Sequence, residues 1–367
     1  MRVLIWVQHL LGTGHTVRAA ALARAINAAG GEATLVLGAT PPPTLPLDGL
    51  ATVPLCPVRA TDETFRAIET ADGTPYAAVA KARTTTLLAT IERVRPDVMV
   101  TETFPFGRRA FAAELDPALA AARAQGAKTA ASIRDVLVRK PPHKERAMAG
   151  RAKAFDTILV HGDPAVVRLE ESFGPAPTLG DRLAYTGYID AGPNLAPPKA
   201  RAGVVVSAGG SAVGVGLIEA AIAAAPLVAE TPMRILAPAA LIAAHGWQGS
   251  GHLTIEPNRP DFRALLAMAA VSVSQAGYNT IIDVLTAGPQ AILVPFAAGE
   301  ETEQADRAAA LAARGRATVL PEHALTPPRL AGTIGEALAA PPPAPFLLNT
   351  DGAAASAAIL KTLAASR

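Results

Sequence analysis

The sequence is short of charge, of sulfur and of long apolar runs, and each shortage closes a class of explanation. Asp, Glu, Lys and Arg make up 17% of the 367 residues, and their formal sum is only +2. Such a chain has no global attraction for a polyanion, so nucleic acid is not an expected partner. The single cysteine, Cys56, cannot form an intramolecular disulfide, and one thiol makes no zinc site. A reducing compartment is compatible with that. The seven histidines are scattered, without HxxxH spacing, and no Asp-x-Asp occurs. A catalytic metal is therefore not expected. No apolar run reaches the ~18 residues of a membrane-spanning helix. The opening MRVLIWV is too short for a secretory signal: it ends at Gln8-His9, and Arg18 and Arg24 interrupt the next stretch. A cytoplasmic protein is expected.

Half of the residues are hydrophobic, with alanine prominent. That is enough apolar material for two cores, and alanine favours helix. Short β-like runs alternate with helical stretches. Arg2–Val7 reads as a strand, His15–Ala29 as a helix and Ala33–Leu37 as a strand, with further strands at Asp97–Thr101, Lys128–Ile133 and Thr157–Val160. The Pro-rich stretch Thr40–Pro46 reads as a loop, and Pro141-Pro142 as another. The pattern breaks at 191–201 and restarts with Gly203–Ser207 as strand and Val213–Ala224 as helix. Met233–Leu236, Val271–Ser274, Ala291–Pro295 and Ala317–Leu320 read as later strands. Asn349–Thr350 offers a cap for a last helix. The expected fold class is α/β, with two Rossmann-like domains whose parallel sheets face a central cleft. Their limits are 1–190 and 202–345, joined by a linker at 191–201. A C-terminal helix in 346–367 is expected to pack back toward the first domain. Domain closure on a ligand fits that layout.

Three segments carry the chemistry. Leu11-Gly12-Thr13-Gly14-His15 joins the first strand to the first helix, where free N–H groups and a partial positive charge suit phosphate. The same positive end favours a neutral, proton-accepting His15. A plain strand–helix turn with a capping histidine fits equally well. Ser207-Ala208-Gly209-Gly210-Ser211 repeats the arrangement at the start of the second domain. The run Val271–Gln304 holds a Gly turn, a helix opened by Tyr278-Asn279-Thr280, and an acidic loop. Asp283, one turn into that helix, can reach ribose hydroxyls. Glu303 and Gln304 can hold sugar hydroxyls, although a solvated helix start explains them too.

In order and spacing these segments resemble GT-B glycosyltransferases of the MurG type, and in particular a bacterial group of predicted glycosyltransferases with a family 28-type C-terminal domain. The resemblance rests on Gly12, Gly14 and His15; on Gly209, Gly210 and Ser211; on Gly277, Asn279, Thr280 and Asp283; and on Val294-Pro295-Phe296 followed by Glu303 and Gln304. It implies that the glycine turns flank a donor diphosphate, that Asp283 holds ribose and that Glu303-Gln304 hold the donor sugar. Two positions depart from the MurG pattern: Asp283 stands where Glu is usual, and a Glu-Gln pair stands where Gln-Gln is usual, one position later. Glu102-Thr103-Phe104-Pro105-Phe106-Gly107 and Ser132-Ile133-Arg134-Asp135 resemble features of the predicted group. Both come at strand ends, so Glu102, Arg134 and Asp135 are candidates for the acceptor side. A helix cap for Glu102 and a local ion pair for Arg134-Asp135 are the plainer readings.

The expected activity is an inverting transfer from a UDP-sugar to a small-molecule or lipid-linked acceptor, with His15 or Glu102 as base and no cofactor. A UDP-sugar hydrolase and a non-catalytic nucleotide-sugar-binding protein are the alternatives. The basic run Arg139–Arg151 could touch an anionic membrane face, although a solvated loop and helix explain it as well.

Overall fold

The computed structural model describes residues 1–10, 13–42, 45–61, 67–190, 192, 195, 200–209, 214–228, 231–296, 302–344 and 346–366. The chain divides into two compact units. Met1–Pro164, Arg168–Asp190 and Asn349–Arg367 form unit 1; Ala165–Val167 and Ala191–Leu348 form unit 2.

In chain order, unit 1 contains β1 (Arg2–Val7), α1 (Gly14–Ala28), β2 (Glu32–Leu37), β3 (Ala51–Pro54), the two-residue strands β4 (Arg59–Ala60) and β5 (Ile68–Glu69), α2 (Tyr76–Val94) and β6 (Val98–Glu102). Next come α3 (Ala112–Ala124), β7 (Lys128–Arg134), α4 (Pro142–Ala152), β8 (Thr157–His161) and β9 (Leu183–Tyr185). Seven strands form one sheet in the order β3-β2-β1-β6-β7-β8-β9, and every pairing is parallel. Parallel strands covered on both faces need apolar residues at consecutive positions, and β1 supplies them: Val3 to Val7 are all buried. Leu4 and Trp6 face one layer with Met99 and Phe111. Val3, Ile5 and Val7 face the other, with Leu22 and Ile26 of α1. The direction of winding reverses between β1 and β6, which makes the crevice beyond their carboxyl ends the expected ligand position.

Unit 2 contains β10 (Val204–Ser207), α5 (Val215–Ala224), β11 (Met233–Ala237), α6 (Ala239–His245), β12 (Leu253–Pro257), α7 (Phe262–Met268) and β13 (Val271–Ser274). It continues with α8 (Tyr278–Ala287), β14 (Gln290–Leu293), α9 (Glu303–Ala313), β15 (Thr318–Val319) and α10 (Pro327–Ala339). Its six-stranded sheet, β12-β11-β10-β13-β14-β15, is also wholly parallel and reverses between β10 and β13.

The last helix, α11 (Gly352–Ala365), lies in unit 1 against α1. Its first residue must be small where it meets the segment after β9: a Cβ at Gly352 would stand 2.3 Å from the Gly187 carbonyl oxygen. The expected cap at Asn349–Thr350 is corrected. Asp351 occupies the cap position without a side-chain capping bond. Asn349 instead gives its backbone oxygen to Tyr188 N–H and its side-chain oxygen to Asp351 N–H. The loop at Pro141-Pro142 is corrected as well, because Pro142 is the first residue of α4. Proline's fixed φ and missing N–H are tolerated at a helix start. Most of the basic run is therefore helical. No helix among the described residues is long and apolar enough to cross a membrane.

Candidate active site

At the reversal point of unit 1, α1 and β6 bring His15 and Glu102 together. His15 Nδ1 lies 2.9 Å from Glu102 Oε1. Glu102 ends β6 and is almost fully buried. Arg18, three residues after His15 on the same face of α1, donates to the same carboxylate oxygen, and the Ser132 hydroxyl donates to the other. Register explains the second contact, since Glu102 and Ser132 are direct partners on neighbouring strands. Behind Ser132 sits His161, with Nε2 2.8 Å from the Ser132 oxygen and Nδ1 2.9 Å from Thr186 Oγ1. Ser132 has one proton, which goes to Glu102, so His161 Nε2–H must donate to Ser132. Glu102 therefore caps no helix; it is the centre of a buried polar chain.

The backbone is held in an uncommon conformation where this chain meets the surface. Thr103 has φ +69°, which a β-branched residue rarely adopts. Its N–H donates to Ser132 O at 2.7 Å, and its hydroxyl lies 3.3 Å from His15 Nδ1. Gly107 accommodates the turn, because a Cβ there would stand 2.6 Å from Thr103 Cγ2.

Electrostatics fix the protonation states. Burial would push the Glu102 carboxyl up, but Arg18, His15 and Ser132 outweigh it and hold the group below the usual carboxylate range. His15 is held well below its ordinary value by burial first, then by the Arg134 and Arg108 guanidiniums, against the opposing Glu102 bond. Burial and guanidinium charge thus favour the neutral imidazole. With Nδ1–H donated to Glu102, Nε2 carries the lone pair, and Arg134 Nη2 lies 3.4 Å from it. His161 is pushed down to about 3 by burial, with Arg18 acting in the same sense and Glu102 against it.

Asp135 turns inward. Its carboxylate accepts from Val136 N–H at 3.0 Å and from Tyr188 OH at 3.1 Å, and a Cβ at Gly162 would stand 2.5 Å from its Cβ. Gly14 is the first residue of α1, while Gly12 lies outside the described residues. Beside this site, unit 1 has a groove of about 610 Å³ lined by His9, Leu10, Thr40, Val58, Arg59 and Glu69, among others. His9 Nδ1 lies 2.7 Å from Thr16 Oγ1, which ties the groove to the first turn of α1.

In unit 2 the candidate donor residues also gather at a reversal point. Gly209 follows β10 with φ +74°, its N–H 3.2 Å from Ser207 Oγ; Gly210 and Ser211 lie outside the described residues. Gly277 is the cap residue of α8, Asn279 is exposed, and Thr280 is partly buried in the first turn. Asp283 sits in the second turn and is ion-paired with the buried Arg263 at 2.7 Å. Glu303 and Gln304 open α9 rather than lie in a loop. Gln304 Oε1 accepts from Ala276 N–H at 3.0 Å and Phe296 N–H at 3.2 Å, tying α9 to the turn after β13. Glu303 pairs with Arg307, whose guanidinium also donates to Ala276 O at 2.8 Å. No group of three or more His, Cys, Asp or Glu side chains is arranged to hold a metal ion among the described residues.

Sequence reasoning missed Arg18 and His161, and Arg263 in unit 2, and gave Ser132 no role although Ser132 opens a segment it singled out. Only Arg18 had a visible signal, its spacing of three from His15; the others become neighbours through strand register and helix packing.

Residues 245–359 match the glycosyltransferase family 28 C-terminal domain. Among known proteins, an N-acetylglucosamine transferase of Mesorhizobium japonicum, named for UDP-N-acetylglucosamine and a pyrophosphoryl-undecaprenol acceptor, is 37% identical over 81 residues, covering 22% of each chain. Its counterpart in Sinorhizobium fredii is 37% identical over 87 residues, 24% of this chain and 23% of that one. The chain thus matches less than a quarter of the length of these curated relatives. Two solved structures share the fold throughout. Glycosyltransferase VinC in complex with dTDP has a TM-score of 0.63 at 18% identity, covering 100% of this chain and 96% of its own. Acinetobacter baumannii MurG has a TM-score of 0.59 at 16% identity, covering 99% and 98%. The chain has the GT-B fold of these solved glycosyltransferases, and its residues 245–359 match the glycosyltransferase family 28 C-terminal domain.

Proposed function

We propose that the protein is an inverting, metal-independent glycosyltransferase that moves a hexose, of the N-acetylglucosamine type or another, from a UDP-sugar to an acceptor hydroxyl. The observation that carries this reading is the His15–Glu102 pair at the reversal point of unit 1. A neutral imidazole whose Nδ1–H is fixed by a buried carboxylate presents Nε2 as a base. In the proposed step the acceptor oxygen attacks the anomeric carbon, its proton passes to His15 Nε2, and the bond from that carbon to the diphosphate breaks. UDP leaves from the opposite face, so the anomeric configuration inverts. Glu102 orients the base and does not itself take the proton, since it is buried and already accepts four hydrogen bonds.

Donor recognition belongs to unit 2 on this reading. The family 28 match covers Asp283, Glu303 and Gln304, and the relatives it resembles are named for a UDP-sugar. Asp283 is assigned to the ribose hydroxyls, with Arg263 aligning it, and Glu303 and Gln304 to the sugar. The family resemblance assigns the glycine segments Gly12–Gly14 and Gly209–Ser211 to the diphosphate charge, in place of a metal. The groove of unit 1 takes the acceptor, and Arg134 stands beside the base. A lipid-linked acceptor is consistent with the exposed Lys144 and Arg146 of α4, which suit an anionic membrane face.

The test is a thermal-shift screen of nucleotide sugars without added metal, followed by product analysis. Stabilisation by UDP compounds, unchanged by a chelator and lost in Asp283→Ala, is the expected result. Release of free sugar from the donor alone, at the same rate with or without acceptors, would make the protein a hydrolase. Binding without turnover under every condition would remove the catalytic reading.

A further inference from the structure

The four hydrogen bonds on Glu102 are not equivalent, and the difference assigns a role to Arg18. Three come from neutral groups, the His15 imidazole and the Ser132 and Thr103 hydroxyls; the fourth comes from a cation. Arg18 is itself nearly buried, and its Nη2 also lies 3.0 Å from His15 Nδ1, so cation, base and carboxylate meet at one oxygen. We propose that Arg18 is a positioning residue for His15: its charge keeps Glu102 an ionised acceptor that fixes the Nδ1–H tautomer, and it offsets the carboxylate charge that would otherwise draw a second proton onto the ring. This rests on the reading of His15 as the base.

A buried carboxylate without a cation has two ways to lose its charge imbalance. It takes a proton itself and then no longer holds Nδ1–H, which frees the ring to carry its proton on Nε2. Alternatively it stays ionised and pulls a proton onto His15, which again covers Nε2. Both outcomes remove the lone pair that faces the acceptor. The other charged groups around His15 do not replace Arg18. Arg134, from the end of β7, approaches Nε2, on the far side of the ring from Glu102. Arg108, in the loop after β6, donates through Nε to the Gln8 carbonyl oxygen at 2.8 Å. His161, on β8, reaches Glu102 only through Ser132. Thr103 is neutral.

The experiment uses the full-length protein and the Arg18→Gln and Arg18→Lys variants. Glutamine can still donate a hydrogen bond but has no charge, and lysine keeps the charge. Nitrogen NMR of the histidine rings at pH 7 reads the protonation of His15 Nε2 directly, with His15→Ala giving the assignment. The expected result is a bare Nε2 in the wild type, a protonated or mixed Nε2 in Arg18→Gln, and recovery in Arg18→Lys. Turnover should change in parallel, falling about tenfold or more in Arg18→Gln with the donor KM unchanged and partly recovering in Arg18→Lys. A bare Nε2 in Arg18→Gln would overturn the inference, because a hydrogen bond alone would then suffice. Since the ring signal needs no substrate, it holds or fails independently of whether glycosyl transfer is found.

Discussion

Units 1 and 2 are both doubly wound parallel sheets with polar groups at the reversal point, yet they differ in how those groups are held. In unit 1 a carboxylate, two histidines, a serine and an arginine form one buried chain that leads from the core to the single partly exposed member, His15. In unit 2 the candidates lie nearer the surface and are steadied separately: Asp283 by Arg263, Glu303 by Arg307, and Gln304 by two backbone N–H groups. Proton transfer needs a group of fixed tautomer and tuned basicity, which burial and neighbouring charge provide. Recognition of a nucleotide sugar needs donors and acceptors that exchange water for ligand, which partly exposed groups provide. On the proposed function, the arrangement divides labour between chemistry in unit 1 and binding in unit 2.

Mutation can break that division. The largest effect is expected from His15→Ala, which should lower kcat by about 100- to 10,000-fold while leaving the UDP dissociation constant within about twofold. Calorimetric titration beside steady-state kinetics checks it. Equal losses in turnover and UDP affinity would mean that His15 serves binding, and the contrast between the units would collapse.

Next in size is a change that should harm unit 1 without touching its chemistry. Arg83 and Glu114 form a fully buried ion pair at 2.8 Å, on the sheet face opposite α1. Glu114 also accepts from Trp6 Nε1 at 3.0 Å, and Arg83 donates to Gly38 O at 3.0 Å and to Gln8 Oε1 at 2.9 Å. Removing one partner leaves the other charge buried and alone, so Arg83→Met should destabilise the protein by about 3–5 kcal/mol. Denaturant unfolding measures this. A loss under about 1 kcal/mol would show that the pair is solvated or replaceable.

Asp283→Ala should weaken UDP binding by about 1–3 kcal/mol, the cost of leaving Arg263 without its carboxylate and the ribose without its acceptor. Turnover at saturating donor should fall much less. Asp283→Glu tests the departure from the MurG pattern: recovery of affinity would show that the longer side chain reaches the same hydroxyls. An effect on kcat alone would move Asp283 from binding to chemistry.

The two units also differed in how much the sequence disclosed. Apolar runs of parallel-strand length and glycine turns between strand and helix announced both sheets, because a strand covered on both faces leaves little freedom in its composition. The edge strands β3, β9 and β12, less buried and less apolar, escaped. In unit 2 the motif order pointed to Asp283, Glu303 and Gln304, although their partners Arg263 and Arg307 did not stand out from other arginines. In unit 1 the sequence singled out His15 and Glu102 without relating them. They are 87 positions apart, and what joins them is the adjacency of β1 and β6. His161 was still less visible, since a histidine within a strand reads as an ordinary residue until register places it beside Ser132.

The smallest expected effect concerns the inner end of the buried chain. His161 titrates at about 3 in the folded protein, against an ordinary value of 6.5. Below pH 6.5 the unfolded chain therefore binds a proton that the native protein refuses, and stability falls as the pH drops toward 3. The slope from this one group approaches about 1.4 kcal/mol per pH unit. His15 and His9 are depressed in the same direction and add to the loss. His161→Gln should keep one donor toward Ser132 while removing that titration. The variant should be less stable than the wild type at about pH 7, and the deficit should shrink as the pH falls from about 6.5 to about 4.5. Unfolding free energies at several pH values across that range decide it. Parallel curves for the two proteins would mean that His161 is already charged in the fold, and that Glu102 rather than burial governs the inner end of the chain.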